Sequence, residues 1–164
     1  MKSYADRIAE GQKEAASIQP TEPLESSELS RFLPEPFAGW HALETQEPQV
    51  PGLTQVERTY FETENEDKSF RLQIADSGGS PQLYVEMVAM AYKPPEENKQ
   101  GYEKGVLLDG HPGFVKYDHG EQSEQLSVFV AKRFLVIVDA GPVEEGFTNL
   151  VWEAIDKEAL KALP

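Results

Sequence analysis

The stretch LLDGHPGFVKYDHG, Leu107 to Gly120, sets two of the chain's three histidines beside two aspartates and three of its glycines. Imidazole nitrogen and carboxylate oxygen are metal ligands and acid–base groups. Asp109 with His111, or Asp118 with His119, could therefore serve a small metal-dependent hydrolase. Zinc-type chemistry needs its donors about 2.0–2.2 Å from a single ion, so their separation decides the matter. If Gly110–Gly113 turns a hairpin, Asp109 falls opposite Phe114 and Asp118 opposite Gly105. At roughly 3.3 Å per residue, about 13 Å of strand then divides the two pairs. One ion cannot take all four, and either pair alone would need donors from elsewhere. The His111-Pro112 bond also admits a cis peptide, since an X-Pro bond loses most of its trans preference.

A second string, IADSGGSPQ, carries the D-S-G-G of a serine-protease nucleophile loop. A triad needs a base held by an oriented carboxylate, and only His41 lies upstream of Ser77. The local reading is stronger. Asp76 closes a strand, Gly78 and Gly79 give a flexible turn, and Ser80 caps the helix that follows. A helix N-terminus can hold an anion, but neither a Walker lysine nor G-x-G-x-x-G is present, so no nucleotide or other cofactor is expected. Paired carboxylates such as Glu96–Glu97 and Glu144–Glu145 carry little information among 29 acidic residues. A catalytic carboxyl also needs an apolar pocket to raise its pKa, and these pairs lie in polar contexts.

Two features suit recognition instead. SPQLYVEMVAMAYKPP reads as a helix over residues 81–93, with Ser80 as cap, Pro81 at its first position, and Pro94 and Pro95 ending it. Its Tyr84, Met87, Met90 and Tyr92 could pack adaptably on a protein partner, on a second copy, or on a small apolar ligand. Lys132 and Arg133 form a small cationic spot at an expected hairpin turn, where they could meet an acidic partner.

The elements that must position these groups change character along the chain. Residues 1–32 read as a weak helix followed by a Pro/Ser/Glu-rich linker in which SSELSRFL makes one turn capped by Ser26 or Ser27. The compact domain is expected over 33–164, with Trp40 among its first buried residues. SFRLQIAD alternates apolar and polar residues with period two, and with the strand-like TQVERTYFE before it forms a hairpin. GVLLD, GFVKYD, QLSVFVAK and RFLVIVDA follow the central helix, the last two being nearly continuous apolar runs suited to central strands. PVEEGFTNLVWEAI opens a final helix, and Asp156 caps the short KEALKAL. The order is β-β-α-β-β-β-β-α. It predicts an α+β fold with an antiparallel sheet of about six strands covered by two helices.

The signatures ELSRFLPEPFAGW, IADSGG, GYEKGVLLDGHPGFVKYD, VAKRFLVIV and AIDKEALKAL, taken in this order, resemble a family of uncharacterised small bacterial proteins. The resemblance runs from Glu28 to Leu163. It implies a shared α+β fold and no particular reaction. Members of that family are often envelope proteins, with a leader ahead of a charged helical spacer.

Composition narrows the partners. The formal charge is −14, and acidic residues exceed basic ones in every third of the chain. Nucleic acid and anionic membrane surfaces, which demand clustered Lys and Arg, are poor matches. No apolar run approaches the roughly 18 residues of a membrane span. The chain as given points to the cytoplasm, and to the periplasm or cell envelope if a leader precedes Met1. The absence of cysteine removes thiolate chemistry and disulfides. The expectation is a non-enzymatic binding domain acting through the helix at 81–93. The alternatives are a metal-dependent hydrolase using His111 or His119 and a carrier of a small apolar ligand.

Overall fold

The computed structural model describes Met1 to Pro164. Its strands are β1 (Trp40–Ala42), β2 (Thr54–Glu62), β3 (Ser69–Asp76), β4 (Glu96–Glu97), β5 (Gly101–Leu108), β6 (His111–Asp118), β7 (Ser123–Val130) and β8 (Phe134–Gly141). The helices are α1 (Tyr4–Ala15), α2 (Ser26–Leu29), α3 (Pro81–Tyr92), α4 (Phe147–Glu153) and α5 (Lys157–Lys161), with a 3-10 turn at Ser30–Phe32. All eight strands join one antiparallel sheet in the order β1-β2-β3-β8-β7-β6-β5-β4.

The α+β class and the antiparallel sheet match the sequence reading, and the strand count does not. The two additional strands, β1 and β4, span three and two residues, too short to show a period of two. The apolar runs VFV and FLVIV do occupy the centre, in β7 and β8; Val128 to Val130 are buried on both faces, while β8 alternates buried and half-buried residues.

One face of the sheet carries the larger core. Val56, Tyr60, Leu72, Ile74, Val128, Val136 and Val138 pack there against Leu29, Val151, Trp152, Ile155 and Leu160. On the other face, Phe129 lies beneath α3, which α1 in turn covers. The residues read as a linker take part in this packing. Leu29 is fully buried, the Thr21 amide donates to the Gly78 carbonyl at 2.6 Å, and the Leu24 amide donates to Asp76 at 2.8 Å. Short-range sequence signals miss this because the partners lie more than 50 residues away. The cap of α2 also differs. Glu25 occupies the N-cap with no side-chain hydrogen bond, and neither Ser26 nor Ser27 caps it. Trp40 is half-buried, against Phe70 and Phe147.

Helix α3 follows its signals: the Ser80 hydroxyl accepts the Leu83 amide at 3.1 Å, and Pro81 opens the helix. It carries the chain from β3, on one side of the sheet centre, to β4 and β5 at the far end. Strands β6 to β8 then wind back until β8 pairs with β3. Gly105 permits this crossing. A Cβ there would stand 2.0 Å from the Ala91 carbonyl oxygen, so only glycine lets the end of α3 lie on β5.

The β5–β6 hairpin is tighter than expected. Asp109 (φ 52°) and Gly110 (φ 81°) alone form its turn, which pairs Leu108 with His111 and Gly101 with Asp118. Two left-handed residues match the twist of the flanking strands, and Asp-Gly is a favoured pair for it. The His111-Pro112 bond is trans; the cis peptide lies at Gly141-Pro142.

Candidate functional site

The two histidine–aspartate pairs sit at opposite ends of β6. Seven residues separate His111 from Asp118, roughly 23 Å of strand. At the turn, an Asp109 oxygen accepts the Trp152 indole N–H at 3.0 Å, and His111 Nδ1 accepts the Ala131 amide at 3.4 Å. The His111 ring meets the edge of Trp152, and burial lowers its pKa below the ordinary histidine value. These groups anchor the hairpin to α4 and to the β7–β8 turn. At the other end, Asp118 accepts the Glu121 amide at 2.8 Å. His119 lies edge-on to Tyr117, with Glu145 at 3.8 Å from its Nδ1. No group of three or more His, Asp or Glu side chains is arranged to hold a metal ion.

The D-S-G-G loop is structural in detail. Asp76 is wholly buried and accepts from the amides of Gly78 and Leu24 and, in a two-pronged contact at 2.8 Å, from the Arg133 guanidinium. The Ser77 hydroxyl donates to the Arg133 carbonyl at 2.7 Å and accepts the Gly79 amide at 3.2 Å, with no base beside it. Arg133, expected as a surface cation, is only 9% exposed, its third contact being the Pro164 carbonyl. Lys132 does sit at the turn, but it leans over the Tyr84 ring toward Glu14.

The helix proposed for recognition is largely covered by the chain itself. Tyr84 and Met87 are buried, while Met90 and Tyr92 are half-buried. The Tyr84 hydroxyl donates to Glu14 of α1 at 2.5 Å, and burial together with that carboxylate raises its pKa strongly. Arg7 of α1 stacks 4.7 Å above Tyr92.

The largest hollow, about 470 Å³, lies elsewhere, on the half of the sheet that α1 and α3 leave open. Strand pairing assembles its floor: Asp139 opposes Gln125, Gln125 opposes Lys116, Lys116 opposes Glu103, and Glu103 opposes Glu96, while Arg71, opposite Asp139, continues the row beyond the lining. Directly opposed residues share a face, so six strands contribute to one polar row. Arg71 reaches Asp139 at 3.4 Å, and Lys116 reaches Glu103 at 3.8 Å. Among the lining residues, five carboxylates, those of Glu96, Glu103, Asp118, Glu124 and Asp139, surround the single cation of Lys116. Lys93 also reaches Glu96 at 3.0 Å from outside the lining, and a concave surface in which one sign of charge still predominates concentrates the opposite ion.

Tyr102 and Glu124 line the same end of the strands. Burial, reinforced by Glu145 and Glu124, pushes the Tyr102 phenol up to about 12. Glu124 is 2% exposed and accepts the Gly146 and Thr148 amides and the Thr148 hydroxyl at 2.6–2.8 Å. It thereby fastens α4 to β7. Sequence reasoning missed Glu124 because QSEQ looks like a polar turn. It missed the row because each member is an ordinary outward-facing residue until strand order brings them together.

No family model, curated protein or solved structure matches this chain.

Proposed function

We propose that this protein is a non-catalytic interaction domain that recognises a basic segment of a protein partner at the acid-lined hollow on the open half of the sheet. The observation that carries this reading is the excess of carboxylates over Lys116 in the chain's largest concavity. Several supports are negative in kind: the imidazoles are engaged at separate ends of β6, and the Ser77 hydroxyl is occupied by backbone. Helix α3 supports docking less well, because a partner reaching Tyr84 or Met87 would first have to displace α1. A carrier of apolar ligands would call for an apolar cavity, and the lining here is mostly polar.

Fluorescence anisotropy with labelled hexalysine, and hexaglutamate as control, tests the reading. The hexalysine should bind, weaken as salt is raised, and lose about tenfold in affinity when Glu103→Gln and Asp139→Asn are combined, about 1.4 kcal/mol. Equal affinity of the native and doubly substituted proteins would refute it.

A further inference from the structure

The two edges of the sheet are finished differently. Outside β2, β1 pairs with Tyr60–Glu62, the Leu43 amide donates to Thr59, and Gln46 bridges Glu57, so that edge is covered along much of its length. At the other edge, β4 pairs only with Tyr102 and Glu103 of β5. Lys104 to Leu108 have no strand beyond them.

The hairpin turn determines which backbone groups this open stretch presents. A two-residue turn of this kind makes its flanking residues, Leu108 and His111, a mutually hydrogen-bonded pair. Hydrogen-bonding direction alternates along a strand, so Val106 and Lys104 also face β6, whereas Leu107 and Gly105 face outward. The far end agrees: the His119 amide donates to the Gln100 carbonyl toward β6, while Gly101 exchanges hydrogen bonds with Asn98 on the outer side. The amides and carbonyls of Gly105 and Leu107 take no part in the hydrogen bonds made outside the ladders.

Side chains flank the same stretch. Leu107 is 49% exposed, and Leu150 of α4 is 62% exposed. Val106 and Leu108 line a cleft of about 140 Å³ with Val115, Leu126 and Asn149, where alternate side chains of an added strand would point. The edge carries no proline or bulge against pairing, only Lys104.

We infer that Lys104–Leu108 accepts an extended segment of a partner protein as a ninth strand, apolar at its centre and basic at its ends. Charge selects this occupant. Glu96, Glu97 and Glu103 outnumber Lys104 at one end of the open stretch, and Asp109 lies at the other. A second copy docked antiparallel through its own Gly105 and Leu107 would centre on Val106. The other copy's Asp109 would then meet the position opposite Glu103 that Glu96 of β4 already fills, bringing three carboxylates together, twice. Strand addition supplies affinity through backbone hydrogen bonds and selectivity through the cleft for alternate side chains. The inference rests on the proposed function, since Glu96 and Glu103 belong to both the hollow and the edge.

The test uses the full chain and the labelled peptide KRVTVTVKR. Leu107→Pro removes one outward N–H and leaves the β6 ladder intact, a substitution that sheet edges tolerate. Leu107→Ala trims the side chain and keeps that N–H. Leu107→Pro should weaken binding at least tenfold and Leu107→Ala by less than threefold, with unfolding midpoints checked for both. Independently of any variant, methylating the threonine amides of the peptide, which oppose Gly105 and Leu107 when the valines enter the cleft, should abolish binding to the native chain, whichever way Leu107→Pro folds. Methylated peptide binding as tightly as unmethylated would overturn strand addition. If Glu103→Gln with Asp139→Asn still weakened the peptide in that case, the acid-lined hollow would stand alone. Sedimentation showing a native dimer that Leu107→Pro converts to monomer would make a second copy the occupant and overturn the partner assignment.

Discussion

Replacing Arg133 by methionine isolates the most consequential ion pair in the molecule. Asp76 is 0% exposed and holds the guanidinium through two 2.8 Å contacts, with the Gly78 and Leu24 amides completing its shell. Arg133→Met keeps an apolar stem but removes the guanidinium, whose carbon sits 4.8 Å above the Phe134 ring, and leaves a buried carboxylate without its cation. Breaking a buried pair from one side costs about 3–5 kcal/mol, much of it the desolvation of the stranded charge. The two remaining amides soften that cost, so the lower half of the range is expected. Taking the urea dependence as about 2 kcal/mol per molar, the midpoint should fall by about 1.5–2 M. Adding Asp76→Asn removes the stranded charge while an amide oxygen still meets the backbone donors, and should recover at least about 1 kcal/mol. Circular dichroism followed through a urea series on the native protein, both single variants and the double variant completes the cycle. If Arg133→Met shifted the midpoint by less than about 0.5 M, or if the two substitutions simply added, the pair would not be holding the 76–79 loop, the Leu24 segment and the C-terminus together.

Two further outcomes follow from the same structure. Glu124→Ala should destabilise the fold by about 2–3 kcal/mol, because the Gly146 and Thr148 amides lose a buried charged acceptor. Urea unfolding would read the loss, and amide exchange should localise it to α4. The lowered His111 pKa makes stability depend on pH in one direction. This contribution is complete above the ordinary value of 6.5 and declines as pH falls toward the folded-state pKa, since the unfolded chain takes up the proton first. His111→Gln should flatten the slope of melting temperature against pH in that window, and an unchanged slope would show that another group causes it.

Much of the secondary structure was legible from local pattern. β2 and β3 coincide with TQVERTYFE and SFRLQIAD, and α3 begins at the Ser80–Pro81 signal. Asp156 caps α5 by accepting the Ala159 amide. These features depend on neighbours within a few residues, which a sequence displays directly. The two shortest strands were not legible, because each owes its extended form to a strand beside it rather than to its own residues. The site followed the same division. Separation of Asp109 and His111 from Asp118 and His119 came from strand length alone and survived a turn four residues from end to end becoming a turn of two.

By itself, then, the sequence determined the α+β class, the helix signals, the acidic balance and the impossibility of gathering both histidine pairs at one ion. These are consequences of period, capping chemistry and chain reach. Only the tertiary structure decided that Arg133 is an internal partner of Asp76 and not a surface cation, and that Tyr84 and Met87 lie within the chain's own packing. It alone placed Arg71, Asp139, Gln125, Lys116, Glu103 and Glu96 in one row. Contacts between residues tens of positions apart depend on strand order, and strand order is settled by how whole faces bury together.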